Sequence, residues 1–454
     1  MSQPQYNKTA QVNIFWLWIF SAILFLAFPY LLNIPLNSYF VVLAALSTFI
    51  ISFNNTNFAL CILILSMLLS PEFKIGELHG RPVVVRFDDI LLLVILLGWL
   101  AKMSLKKEIG FLKKTTLNKP ILAYMAICIL STLSGAISEK INIRFAFFYL
   151  LKYIEYFFVY FMVVNNVTSV KQVKLFITLM IITGFTISVY GYSQYLAGVE
   201  SRITTPFETS GGEPNTLGGY LLLIIAQVLG LLLYFKKPKV KPFLFIGLTF
   251  MLGAFLLTYS RGSWLAFFPM YLTLVFFTKR YKLTLVIIAL IFLAFSGLIL
   301  PQKVKQRVGD TFSPERSITI LDREVTLDES TFARVESYKN SLLQWSKNPL
   351  FGYGVLGGGE VFDFQYGRVL VEIGLIGFTI FIWLIIRIYK VGIFAFRQSQ
   401  DNDLFQGISL GFIAGLSGII FHGFTAATFI LVRVMEPFWF LAALVSALPS
   451  IKNE

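Results

Sequence analysis

A chain of 454 residues that is 57% apolar and only 14% charged, with a mean hydropathy of +0.75, is excluded from the soluble globular class, whose charged fraction lies near a quarter. Its net charge of +14 sits in short clusters between apolar segments, with no basic helix or aromatic-interleaved patch, so it reads as a membrane orientation signal and gives no reason to expect a nucleic acid partner. Cys61 and Cys128 both fall inside apolar stretches and suggest no disulfide framework, and His79 and His422 are too few for a histidine-rich metal cage.

The first apolar stretch, 13 to 33, is too long for a signal-peptide core and has no small-residue cleavage site after it, so it is expected as a retained first helix. At roughly 20 apolar residues per crossing, further spans are expected at 38 to 53 and 56 to 70, both short, then at 86 to 103, 119 to 137, 143 to 165, 172 to 197, 215 to 235, 242 to 259, 262 to 278 and 281 to 300. After the long segment 301 to 366, three more follow at 367 to 389, 404 to 424 and 428 to 449. The expected fold is an all-α polytopic membrane protein of about 12 to 14 transmembrane helices with one large outer loop.

Alternating sides from a cytoplasmic N-terminus puts 20 lysines and arginines in the inner segments, Lys102 to Lys119 and Lys236 to Lys241 among them. The short outer segments hold seven: Lys74, Arg81, Arg86, Lys140, Arg144, Arg202 and Arg261. That asymmetry places both termini in the cytoplasm. It also divides the chain into 1 to 300, the outer loop 301 to 366, and a C-terminal membrane part 367 to 454. Within the loop, Val335, Tyr338, Leu342 and Trp345 recur at three-four spacing, which predicts an amphipathic helix over 332 to 347 lying on the outer membrane surface. The run from Asn348 to Gly359 then reads as a glycine-rich turn, although its backbone N–H groups are also of the kind that cradle phosphate.

Several ionisable residues fall within or beside spans. Lys152 and Glu155, and Arg433 and Glu436, are each three apart and are expected to neutralise themselves as local pairs. Arg368 and Glu372, four apart, should form an ion pair facing the outer cavity. Asp88 and Asp89 are adjacent carboxylates that can hold a divalent cation, though a structural role is favoured over metal. His422 is a candidate ligand or proton carrier beside its plainer reading as a packing residue.

Arginine is the pattern that stands out. Arg202, Arg261, Arg334 and Arg368 all fall on the outer side, where planar guanidinium groups bind phosphate oxygens in pairs. Arg261, in the run from Tyr259 to Trp264, is wedged between two spans without a loop. A group that costs about 3 kcal/mol if it faces lipid must point at an anion or a wet cavity. Arg202, Arg368, Tyr259, Asn215 and His422 are therefore taken as candidate substrate-binding residues, with a lipid-linked diphosphate as the ligand.

The segments 202 to 221 (RITTPFETSGGEPNTLGGYL), 260 to 267 (SRGSWLAF), 333 to 355 (ARVESYKNSLLQWSKNPLFGYGV), 370 to 378 (LVEIGLIGF) and 421 to 444 resemble the bacterial O-antigen ligase and O-antigen polymerase family. They cover most of the second half of the chain in the family's order, while the first half is similar in hydropathy alone. The resemblance implies a GT-C-like glycosyltransferase of the inner membrane. Such an enzyme moves a glycan from undecaprenyl diphosphate to an acceptor hydroxyl at the periplasmic face, without a nucleotide sugar. By motif, Arg261 and Arg334 match the family's two essential arginines. Ligases of the family carry a histidine shortly before the segment matching 370 to 378. Here the run from Glu360 to Tyr366 has none, which favours a polymerase of surface polysaccharide repeat units over a ligase acting on lipid A core. Asp363, Glu360 and Glu336 are then the candidate general bases. The implied partners are the lipid-linked oligosaccharide, membrane lipid and a chain-length regulator, and no cofactor or metal is expected. A lipid-linked oligosaccharide flippase is the rival from another class, but it calls for a cationic path through the membrane and internal repeats, whereas these arginines gather on one side.

The topology is open to a direct check. A Ser330→Cys variant should react with a membrane-impermeant thiol reagent in intact cells with a permeabilised outer membrane; protection of that cysteine would overturn the assignment of sides.

Overall fold

The computed structural model describes residues 36–78, 81–105, 113–198, 202–208, 212–278, 281–299, 301–312, 316–320, 323–359 and 362–451. The expected span at 13 to 33, His79 and the candidate base Glu360 lie outside the described residues.

Thirteen of the expected apolar stretches are helices: α1 (Leu36–Asn54), α2 (Thr56–Leu69), α3 (Phe87–Leu105), α4 (Asn118–Ile137), α5 (Ile143–Asn166), α6 (Val170–Ala197), α7 (Pro214–Tyr234), α8 (Lys241–Leu257), α9 (Arg261–Phe277), α10 (Lys282–Ile299), α13 (Gln365–Gln398), α14 (Asp403–His422) and α15 (Val432–Ala447). Among the described residues, seven helices are long and apolar enough to cross a membrane, or up to eight if the bent pair Lys282–Leu298 and Gln302–Gly309 is one span. The expected count of 12 to 14 includes shorter elements such as α2, whose 14 residues rise only about 21 Å against roughly 30 Å of hydrocarbon.

The protein is an all-α polytopic membrane protein whose centre is α7, α14 and α15. Their apolar windows are 83%, 78% and 83% buried, whereas α4, α6 and α13 bury 44% and turn the rest outward. A helix that is apolar all round belongs inside, and α7, apolar from Leu217 to Leu233 save for Gln227, packs along α14. At the other extreme, α10 leaves Leu283, Leu290, Leu293 and Leu298 exposed, a surface suited to lipid.

Two β-hairpins interrupt the helices. β1 (Glu72–Leu78) pairs antiparallel with β2 (Arg81–Arg86), Glu72 opposite Arg86, and β3 (Arg316–Ile320) pairs with β4 (Arg323–Leu327). The second lies in the long segment 301 to 366, between the short helix α11 (Gln302–Gly309) and the amphipathic helix α12 (Glu329–Lys347). On α12, Tyr338 packs on Phe364 and Ser341 is buried, while Leu342 and Leu343 are each 53% exposed, so the stripe has Tyr338 against the protein and Leu342 on its exposed edge.

After α12 the chain doubles back through the glycine-rich turn. The N–H groups of Tyr353 and Gly354 donate to the carbonyls of Val371 and Glu372, and that of Leu356 to the Glu372 carboxylate. Those carbonyls are available because α13 breaks at Gly374, whose φ of 66° and ψ of −170° no residue with a Cβ adopts cheaply. The turn spends these donors on α13, so its role is structural.

The charges inside spans pair between elements, correcting the expectation of local pairs. Lys152 meets Asp89 at 2.7 Å rather than Glu155. Arg433 meets Glu72 at 3.0 Å and the carbonyls of Leu68, Ser70 and Pro206, rather than Glu436. Arg86 gathers Asp88 at 2.9 Å, Asp89 at 3.4 Å and Glu436 at 3.7 Å, so the adjacent aspartates serve cations of the chain itself. Three-residue spacing on a helix allows a pair, but a charge on a buried face takes whichever partner the neighbouring helix offers. Arg368 and Glu372 do pair as expected, at 2.9 Å, yet facing the core, where Tyr153 donates to the Glu372 carboxylate. Removing one buried cation leaves its carboxylates uncompensated. Arg86→Ala should therefore cost about 3 to 5 kcal/mol, read as a lower midpoint of thermal unfolding in detergent; an unchanged midpoint would show that Asp88 and Glu436 do not depend on Arg86.

Candidate functional site

The polar end of the bundle is organised by the junction between α8 and α9. The chain reverses over Tyr259 and Ser260, with Tyr259 at a φ of 47°, a left-handed conformation uncommon for a bulky residue. Two contacts hold the reversal. Arg202, arriving from the loop 202 to 208, donates through Nε and Nη2 to the carbonyls of Thr258 and Tyr259, each at 3.1 Å. Ser260 caps α9, its Oγ accepting the Ser263 N–H at 3.3 Å.

Behind the cap runs a buried line of hydrogen bonds. Ser260 Oγ donates to Asn215 Oδ1 at 2.6 Å and lies 2.7 Å from Ser263 Oγ, which lies 3.0 Å from His422 Nε2. His422 Nδ1 is 2.7 Å from Thr428 Oγ1. Gly218 makes room for this line, since a Cβ there would stand 2.2 Å from Ser263 Oγ. His422 is fully buried, and both of its ring nitrogens are engaged inside the protein. It reaches the junction through Ser263 and Ser260, so it orients the site from behind and offers no open face to a ligand.

In front of the cap, Arg261 fastens the segment 301 to 366 to the bundle. Its Nη2 meets Asp328 Oδ2 at 2.6 Å and its Nη1 donates to Thr311 Oγ1 at 2.8 Å. Asp328 is also the N-cap of α12, accepting the Thr331 N–H at 3.3 Å. Burial pushes the Asp328 carboxyl up, but the hydrogen bonds from Arg261 and Thr331 outweigh it and hold the group below the usual carboxylate range. Arg334, less than two turns into α12, completes a cluster of like charge. Burial together with the neighbouring charges of Arg307, Arg334 and Arg261 lowers Arg202 to about 10. Burial and Arg261 lower Arg334 as well, against the opposing pull of Asp328 and Asp363. Aromatic side chains frame this face: the Tyr338 and Phe364 ring centres are 3.7 Å apart, and the Tyr338 hydroxyl donates to the Phe424 carbonyl.

Of the residues singled out by sequence, Arg202, Arg261, Arg334 and Asp363 come together in front of the junction, and Tyr259, Asn215 and His422 support it from within. Arg368 is not among them, being spent in its pair with Glu372. Glu336 points out on the exposed side of α12. Sequence reasoning passed over Asp328, Arg307, Ser263 and Thr428. Of these, Asp328 carried a signal, since an Asp directly before a helix start is a cap in search of charge. Glu208, in the Arg202 loop, was also missed; burial raises it to about 7 against the hydrogen bond from Thr205.

A cluster of arginines at one end of a polytopic helical bundle, braced by a buried hydroxyl and imidazole line, defines a membrane protein with positive charge concentrated at one helix junction. Residues 246–382, from α8 to the first half of α13, match the model of a family described as O-antigen ligase. Arg261, Arg307, Arg334 and Asp363 lie inside that segment, while Arg202, Asn215 and His422 lie outside it. No curated protein matches the chain.

The buried line is open to test. His422→Leu leaves the Ser263 and Thr428 hydroxyls without the imidazole and should cost about 1 to 3 kcal/mol of stability. Thermal unfolding of the purified variant reads this directly, and an unaltered transition would remove the imidazole from any supporting role.

Proposed function

We propose that this protein is a glycosyltransferase that takes a glycan from a polyprenyl-diphosphate carrier and joins it to an acceptor sugar hydroxyl at the outer, periplasmic face of the bacterial inner membrane. One observation carries this reading. Arg202, Arg261 and Arg334, contributed by three separate elements, converge in front of a single helix junction with Asp363 beside them. Two of the three lie in the segment that matches the O-antigen ligase family. Guanidinium groups held together at such cost to one another call for a multiply charged anion, and a diphosphate at the bilayer surface meets that description.

In this mechanism the acceptor oxygen attacks the anomeric carbon, the new glycosidic bond forms, and the bond between that carbon and the carrier's diphosphate oxygen breaks. Negative charge grows on the diphosphate as it leaves, so preorganised arginines lower the barrier where charge develops. The acceptor proton passes to a base, and Asp363 is the candidate best supported, lying where its charge is felt by Arg334. A diphosphate leaves readily without a general acid.

The absence of a histidine from 360 to 366 favours chain polymerisation over transfer to lipid A core. The arginines carry the electrostatic work in this mechanism.

Purified protein given an undecaprenyl-diphosphate oligosaccharide should extend it in EDTA. Arg261→Lys and Arg334→Lys should each lose most of the product while the protein still inserts and accumulates, because lysine keeps the charge but not the paired donors. Near-normal product from either lysine variant would sink paired diphosphate binding at that position, and a divalent requirement would show that the arginines do not suffice.

A further inference from the structure

The long outer segment begins with α11, a short helix rich in lysine and arginine, and continues directly into a turn of 3-10 helix over Asp310–Phe312. Val304 is buried, which fixes the helix against the body of the protein. Thr311, in the 3-10 turn, accepts a hydrogen bond from Arg261 at 2.8 Å. Arg307 lies four residues before Thr311, one helical turn away along the same stretch, so the segment that clasps Arg261 also carries a second guanidinium to the cluster. Its neighbours by charge are Arg202 and Arg334. The Arg307 Nε is buried and makes no hydrogen bond, although a guanidinium N–H removed from water should have an acceptor.

These facts pose a problem of electrostatics. Arg261 has Asp328, Arg334 has the charges of Asp328 and Asp363, and Arg202 has two carbonyls. Arg307 brings a further positive charge toward a group of cations, with an unused donor. A chain that merely needed a soluble outer helix would hold such a residue in water, as it does Lys303 and Lys305, both exposed. An arrangement of this kind is stable when an anion with several oxygens sits among the guanidinium groups and accepts from more than one of them.

We propose that Arg307 is a fourth arginine of the diphosphate site, donating through Nε and the guanidinium edge to phosphate oxygens of the carrier, and that α11 is a binding element rather than a connector. The inference rests on the glycosyl-transfer reading of the same site and adds to it a residue that lies apart from the two arginine motifs. It also gives the outer segment a mechanical logic. Arg307 and Arg334 stand on either side of the β3–β4 hairpin, with Arg261 tied to residues at both of its ends, so an occupied site draws α11 and α12 together.

Binding of inorganic pyrophosphate to the purified full-length protein in lipid nanodiscs, measured by calorimetry, separates the two ideas. The wild type should bind. Arg307→Gln should weaken binding five- to tenfold and Arg307→Lys by less, whereas Lys305→Gln, which removes a charge from the same helix, should bind like the wild type. Equal binding by Arg307→Gln and wild type would overturn the role of Arg307 while leaving the diphosphate site standing, and so would an equal loss in Lys305→Gln, which would reduce the effect to general surface charge. Failure of the wild type to bind pyrophosphate, with the protein folded by its thermal transition, would remove the diphosphate reading and the fourth arginine with it. If Arg307→Gln does not fold, the Arg307→Lys variant decides by itself: binding equal to wild type shows that paired donation is not used.

Discussion

Everything at the polar end of this protein hangs on the contact of Arg261 with Asp328 and Thr311. The guanidinium stands at the first residue of the apolar helix α9, directly after a tight reversal of the chain, and the segment 301 to 366 supplies its partners on both sides of the β3–β4 hairpin. The same contact caps α12 through Asp328, and α12 delivers Arg334 less than two turns later. A single ion pair thereby sets the register between the membrane bundle and the segment that covers it.

The cluster that results is under tension. Like charges brought close repel one another, and Arg202, its pKa lowered to about 10 by burial first, also feels Arg307, Arg334 and Arg261. Neutral carbonyls at Thr258 and Tyr259 hold Arg202 in place without cancelling its charge, which leaves the positive potential available to a ligand. In the proposed transfer, preorganised cations of this sort act at the moment negative charge develops on the leaving group. The line from Asn215 through Ser260, Ser263 and His422 to Thr428 supplies the rigidity, with each hydroxyl and ring nitrogen of the line bonded within a buried space.

A second set of charges lies away from the arginine cluster and does different work. Arg86, Asp88, Asp89, Lys152 and Glu436 come from the end of β2 and from α3, α5 and α15, and Arg433 reaches from α15 to β1, α2 and the loop that carries Arg202. Through Pro206 this network braces the Arg202 loop. Its members neutralise one another across helices, whereas the arginines of the site meet mostly their own kind. That contrast, and not burial as such, separates the two sets of charges.

Sequence by itself determined the class and the span boundaries, because a crossing needs a long run of apolar residues whatever its neighbours are, and α4 to α10 begin and end within a few residues of where hydropathy placed them. It also singled out Arg261, since a guanidinium with no loop around it violates the cost of burial in one dimension as plainly as in three. The partners of the buried charges were decided by tertiary structure alone. Lys152 has Glu155 on its own helix and pairs with Asp89 instead; Arg368 resembles the site arginines in sequence position, yet its side chain turns to Glu372 and Tyr153. Arg307, unremarked in a basic stretch, acquires meaning only because Thr311 is bonded to Arg261. Hydropathy is additive along the chain and can be read from it, but an ion pair depends on which helix faces that residue, and no local pattern holds that information.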